Sequence, residues 1–129
     1  MTRLFTVLAL LLATAARAQP AIDWTKAQPV HVLMVDDRFV PDHLTFHHGT
    51  PYRLLLENDG KDVHEFTAPE FLADAVVRDP GVLARGGQEI VVQPGAAVSV
   101  DLMPVRPGTF KLICANHDWD GMVGEIVVD

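Results

Sequence analysis

The sequence predicts an all-β fold, a two-layer Greek-key sandwich of seven to eight strands with one short helix or loop excursion. Three observations predict it. Apolar residues recur with a period close to two from Gln28 onward, and Pro and Gly break that alternation at short intervals. The length of 129 residues, with 49% apolar and 21% charged side chains, suits one packed domain and excludes a disordered chain, a collagen-like repeat and a coiled coil.

Residues 1–18 stand apart from that fold. Thr2-Arg3 precedes an apolar run from Leu4 to Ala13, and Ala16-Arg17-Ala18 has the small-x-small form of a cleavage site, so a signal peptide ending near Ala18 is expected. The run is shorter than the roughly 20 residues that a membrane-crossing helix takes, and no later stretch is long and apolar enough to replace it. The mature chain is therefore read as periplasmic or secreted, with no membrane insertion. Residues 19–28 carry no clear pattern and are expected to form an N-terminal arm that Trp24 can pin to the domain of residues 29–129.

Within that domain, residues 30–35, 44–47, 52–57 and 63–67 read as strands, followed by 89–93, 97–103, 109–114 and 123–128. Gly86-Gly87, Pro94-Gly95, Pro107-Gly108 and Asp120-Gly121 supply turns between the later ones. Val98, Val100 and Leu102 alternate with Ser99 and Asp101, as a sheet with one wet face requires. The excursion falls at residues 69–78, where Pro69 suits a first helical turn and Phe71, Ala75 and Arg78 lie near helical spacing.

Charge narrows the partners. The formal net charge is −7, and losing Arg3 and Arg17 with the leader makes it −9. Nucleic acid and anionic lipid both call for a basic face, so a positively charged partner fits better. Export also makes the single cysteine informative, because Cys114 has no partner within the chain and must be inert, intermolecular or a ligand.

Its neighbours favour a ligand. Cys114-Ala-Asn-His117-Asp-Trp-Asp-Gly-Met122 places a thiolate, an imidazole and a thioether in one loop where a predicted strand ends and the next begins. A fourth donor must come from elsewhere, and His64 is the best candidate, since its strand can lie beside the one ending at Cys114. Zinc rarely takes Met, whereas two His, one Cys and a weak axial Met describe a mononuclear copper site for electron transfer. The plain alternatives are a core methionine at Met122, a surface histidine at His64 and a Trp119 that only caps the sandwich. His31, His43, His47 and His48 are read as solvated strand and turn residues.

The chain resembles the cupredoxins, the blue-copper family that includes plastocyanin and pseudoazurin, over roughly residues 30–128. Phe39-Val-Pro41-Asp-His-Leu44-Thr-Phe46-His-His-Gly49 is similar to the family's early strand and turn. Asn58 through His64 resembles the approach to the first ligand, and Val92-Gln-Pro94-Gly95 and Arg106-Pro107-Gly108-Thr109-Phe110 resemble its later turns. The resemblance implies one type 1 copper ion held by His64, Cys114, His117 and Met122, with Met122 the long axial ligand and His117 the solvent-edge one. Two features depart from it. Glu65 stands where plastocyanin-like carriers have an Asn bridging the ligand loops, which leaves the rigidity of the site open, and His117 is flanked by Asp118, Trp119 and Asp120 instead of small neutral residues.

Enzymatic activity is not expected. Cys114 and His117 share one loop without an orienting third group, and Ser99, the only serine, has no base near it in sequence. The expected function is a periplasmic one-electron carrier, a monomer whose partner is a redox protein with a basic face, such as a c-type cytochrome or an oxidase. The alternative is a copper homeostasis or tolerance protein, or a ferrous-iron oxidation component of a metal-uptake system, to which His64-Glu65-Phe66 is more similar.

Overall fold

The computed structural model describes residues 20–129, so the leader expected at residues 1–18 lies outside the described residues. Ten strands follow in order: β1 (Gln28–Val35), β2 (Arg38–Val40), β3 (His43–Phe46), β4 (Tyr52–Asn58), β5 (His64–Thr67), β6 (Ala75–Val77), β7 (Glu89–Val92), β8 (Ala97–Pro104), β9 (Gly108–Ile113) and β10 (Val123–Val128). They form two five-stranded sheets, ordered β2-β1-β4-β8-β6 and β3-β10-β9-β5-β7. The sandwich is all-β, as expected, with more strands than the seven or eight read from sequence. β1 runs parallel to β4 and β3 parallel to β10, while the remaining neighbours are antiparallel.

Alternation builds the core. In β4 the buried residues are Tyr52, Leu54, Leu56 and Asn58, and Leu54 faces Val100 of β8 across the pair. Phe46, Phe66, Ile90, Leu112 and Ile126 fill the other inner face. In β8, Val100 and Leu102 are buried and Ser99 is exposed, while Asp101 lies under Arg53 and Arg78 on the outer face.

The excursion is a short helix, α1 (Pro69–Ala73), with Pro at its start. Phe71 enters the core and stacks on Phe46 at a ring separation of 5.2 Å, with Phe110 at 5.9 Å. Ala75 and Arg78 do not continue it. The chain leaves the helix at Asp74 and Ala75–Val77 pair with β8, because an open sheet edge gives those backbone groups partners that one further helical turn would not. β2 was also unexpected, since its turn at Asp36-Asp37 carries no Gly; Asp37 takes a positive φ of 62° itself. The arm expected over residues 19–28 holds a 3-10 turn at Trp24–Lys26 with half-buried Trp24, and Gln28 already pairs with Tyr52. Among the described residues no helix is long and apolar enough to cross a membrane.

Candidate metal centre

The residues from 114 to 122 close the β9–β10 hairpin, whose last register pair sets Ile113 opposite Val123. The loop is tied by its own backbone. Cys114 N–H donates to the Met122 carbonyl at 3.0 Å, His117 N–H to the Cys114 carbonyl at 3.1 Å, and Met122 N–H to the His117 carbonyl at 3.1 Å. A 3-10 turn at Asp118–Asp120 leads into Gly121, whose φ of +90° turns the chain back to Met122, a conformation glycine adopts without strain. Cys114 and Met122 are consequently buried at one end of the sandwich.

β5 brings the fourth residue. It runs antiparallel to β9 with Thr67 opposite Ile113, so the strand carries His64 and Glu65 past the end of β9 and onto the loop. Cys114 Sγ then lies 3.8 Å from Nδ1 of His64 and 3.4 Å from Nδ1 of His117. One donor atom from each of the three residues sits within 4.8 Å of the others. A single ion can touch all three at metal–ligand lengths of about 2.0–2.3 Å.

Asn58 and Gly60 position His64 from behind. Asn58 is fully buried at the end of β4, and its side-chain amide donates to the carbonyls of Asp62 at 2.8 Å and Val92 at 2.9 Å while its oxygen accepts from Gly60 N–H at 2.9 Å. It thereby pins the turn that precedes the histidine. Gly60 abuts the imidazole, and Nε2 of His64 has no hydrogen-bond partner among the described residues. The sequence signal for this role is an Asn that closes a strand ahead of Asp-Gly, Asn58-Asp59-Gly60.

Electrostatics suit a metal. Burial holds the His64 imidazole below its ordinary range, and the nearby His117 pushes the same way against Asp36, Asp62 and Asp37. His64 is thus a neutral donor at pH 7. Burial, with the Glu65 side chain as the next cause, pushes the Cys114 thiol up to about 11, so it holds its proton until a cation displaces it.

Glu65 occupies the bridging place. Oε1 accepts from Asn116 Nδ2 at 2.5 Å, and its backbone N–H donates to Cys114 Sγ at 3.3 Å. The side chain and backbone of Glu65 thus link β5 to the loop that carries Cys114. At the mouth, the His117 side chain is 16% exposed and its Nε2 lies 3.9 Å from an exposed Asp62 carboxylate. Trp119 is 79% exposed, and its indole N–H donates to the Asn116 carbonyl at 3.0 Å.

The other histidines stay outside this centre. His31 contacts Glu57, His43 contacts Asp42 and Glu125, and His47 and His48 both contact Asp129, all at exposed positions. No three of them gather within reach of one ion among the described residues.

A copper-type donor set on a two-sheet sandwich defines a class. The sequence matches the cupredoxin-like domain family over residues 4–128, and the chain belongs to that family. Among solved structures, auracyanin B shares the fold with a TM-score of 0.61 at 20% identity, over 84% of this chain and 93% of that one. A dithionite-reduced auracyanin from the photosynthetic bacterium Roseiflexus castenholzii does so with a TM-score of 0.61 at 14% identity, over 81% and 98%. A multicopper oxidase matches with a TM-score of 0.59 at 18% identity over 78% of this chain, which spans 41% of the oxidase. No curated protein sequence matches the chain. The cofactor of such a domain is one copper ion, and the Cys and His donors assembled here fit it.

Proposed function

We propose that the protein is a periplasmic one-electron carrier whose copper ion is held by His64, Cys114, His117 and Met122. One observation carries the reading: His64, Cys114 and Met122 are buried, and His117 alone brings the cluster to solvent. Copper, when bound, supplies the Cu(II)/Cu(I) couple. The chain's own part is to hold the donors still. Thiolate and thioether suit Cu(I) and imidazole suits both states, and the backbone ties among Cys114, His117 and Met122 keep one geometry for both. The exposed edge of His117 is the route by which an electron enters and leaves.

Export rests on Arg3, the apolar run after it and Ala16-Arg17-Ala18. The partner reading rests on Asp62, Asp118 and Asp120, exposed around His117, which fit a redox protein with a basic face, such as a c-type cytochrome or an oxidase, met by a monomer. Purified protein loaded with Cu(II) should be blue or green through thiolate-to-copper charge transfer. Cys114→Ser should be colourless, and Met122→Leu should keep the colour with a shifted reduction potential. An unchanged Cys114→Ser spectrum would remove the assignment.

A second reading, copper handling or a part in ferrous-iron oxidation, rests on His64-Glu65-Phe66, which is more similar to cupredoxin-like proteins of copper tolerance or metal uptake than to electron shuttles. The two separate on kinetics. A carrier shows rapid electron self-exchange and retains its copper against a Cu(I) chelator, whereas a handling protein surrenders Cu(I) and exchanges electrons slowly.

A further inference from the structure

A carboxylate that is 5% exposed and has no Lys or Arg against it among the described residues needs an account, because burying one without compensation is costly. Glu65 is that group, and all of its hydrogen bonds go to the metal loop. Oε1 accepts from Asn116 Nδ2 at 2.5 Å; Oε2 accepts from Asn116 N–H at 3.4 Å and from the Cys114 thiol at 3.0 Å. With its own N–H on the same sulfur at 3.3 Å, one residue of β5 grips the loop at three atoms. It directly follows His64, so the grip fixes the sulfur relative to the imidazole across 50 positions of sequence.

We propose that Glu65 is a positioning residue that locks the Cys114 loop onto β5 and, by holding an acceptor oxygen against the sulfur, lowers the reduction potential of the centre. The proposal rests on the electron-carrier reading for its second half only. An apolar residue at 65 would leave the Asn116 amide groups without these acceptors. A glutamine, equal in length, keeps an oxygen for Asn116 and turns an N–H toward the sulfur. That exchange of acceptor for donor withdraws electron density from a metal-bound thiolate and favours the reduced state.

The test compares wild type, Glu65→Ala and Glu65→Gln. In metal-free protein, the Asn116 backbone amide, whose acceptor is Oε2, should exchange about tenfold faster in Glu65→Ala, as for the loss of one charge-assisted hydrogen bond, and also faster than wild type in Glu65→Gln, whose N–H stands where that oxygen was. In Cu(II)-loaded protein, Glu65→Gln should show a higher potential than wild type and a charge-transfer band moved to higher energy. Wild-type protection of Asn116 in Glu65→Ala overturns the lock. A Glu65→Gln potential and band that superimpose on wild type overturn the tuning, and Glu65→Gln decides alone if Glu65→Ala does not fold. Wild-type protein that takes no copper defeats the carrier reading, while amide exchange still decides whether Glu65 positions the loop.

Discussion

Gly60 and His64 occupy each other's space: a Cβ on residue 60 would lie 2.8 Å from Nε2 of the imidazole, and 2.7 Å from Oδ1 of Asp36. The glycine is required by this close approach. Gly60→Ala should therefore displace either the turn or the ring, at a cost of about 1–3 kcal/mol from overpacking. Copper affinity should fall with it, since the ring is the part that can move. Chemical denaturation and a copper titration of the variant check both effects, and wild-type values in each would show that the turn yields without disturbing His64.

Copper loading must expel the proton of Cys114. Its folded pKa is raised to about 11 by burial first and by Glu65 next, so the thiol is protonated at pH 7 and competes with the ion. His64 adds no such competition there, because its pKa is depressed below the ordinary imidazole value. Apparent affinity should rise about tenfold per pH unit for this one proton as pH increases toward 11. Calorimetry in two buffers of different ionisation enthalpy measures the proton released. A heat of binding independent of buffer would refute a protonated thiol in the metal-free protein.

The outer face carries its own pH dependence. Asp101, 10% exposed, accepts from Arg53 at 2.8 and 3.1 Å and from Arg78 at 3.0 Å, and these contacts, Arg53 first, hold its pKa below 3.8. A depressed folded pKa stabilises the fold above 3.8, and that contribution disappears as pH falls through the lower folded value. Asp101→Asn should lose about 1–2 kcal/mol at pH 7 and show a shallower decline toward pH 3 than wild type. Urea midpoints at the two pH values test it; parallel declines would mean that other carboxylates carry the acid sensitivity.

Much of this was legible in sequence because it rests on local pattern. The alternation of Val98, Val100 and Leu102 marks a half-buried strand whatever surrounds it, and Cys114, His117 and Met122 share a loop short enough to fold back on itself. The neighbourhood of His64 and Cys114 followed from strand adjacency, which β5 and β9 realise with Thr67 opposite Ile113. What escaped depends on long-range geometry. β2 and β6 have three residues each, too few for a period to show, and both exist because a longer neighbour offers them hydrogen bonds. The roles of Asn58 and Glu65 escaped for the same reason: each acts on a segment more than 30 positions away, on Val92 and on Asn116.

The last expectation concerns the mouth of the site. Asp62, Asp118 and Asp120 are exposed around His117, and residues 20–129 carry a formal charge of −9. Trp119 lies among them, 79% exposed yet held by its indole N–H on Asn116, so it offers a large apolar surface at small entropic cost. A basic partner should first be drawn by the carboxylates and then seated on the indole. Attraction of this kind is screened over about 10 Å at 0.1 M salt, so second-order electron-transfer rates with a basic cytochrome should fall as ionic strength rises. Asp118→Asn with Asp120→Asn should flatten that dependence and leave the visible spectrum intact. Trp119→Ala should keep the salt slope but weaken the complex by about 1–2 kcal/mol, as for an interface anchor. Rates that stay flat from low to high salt in the wild-type protein would leave the acidic rim with a solubility role and the copper site untouched.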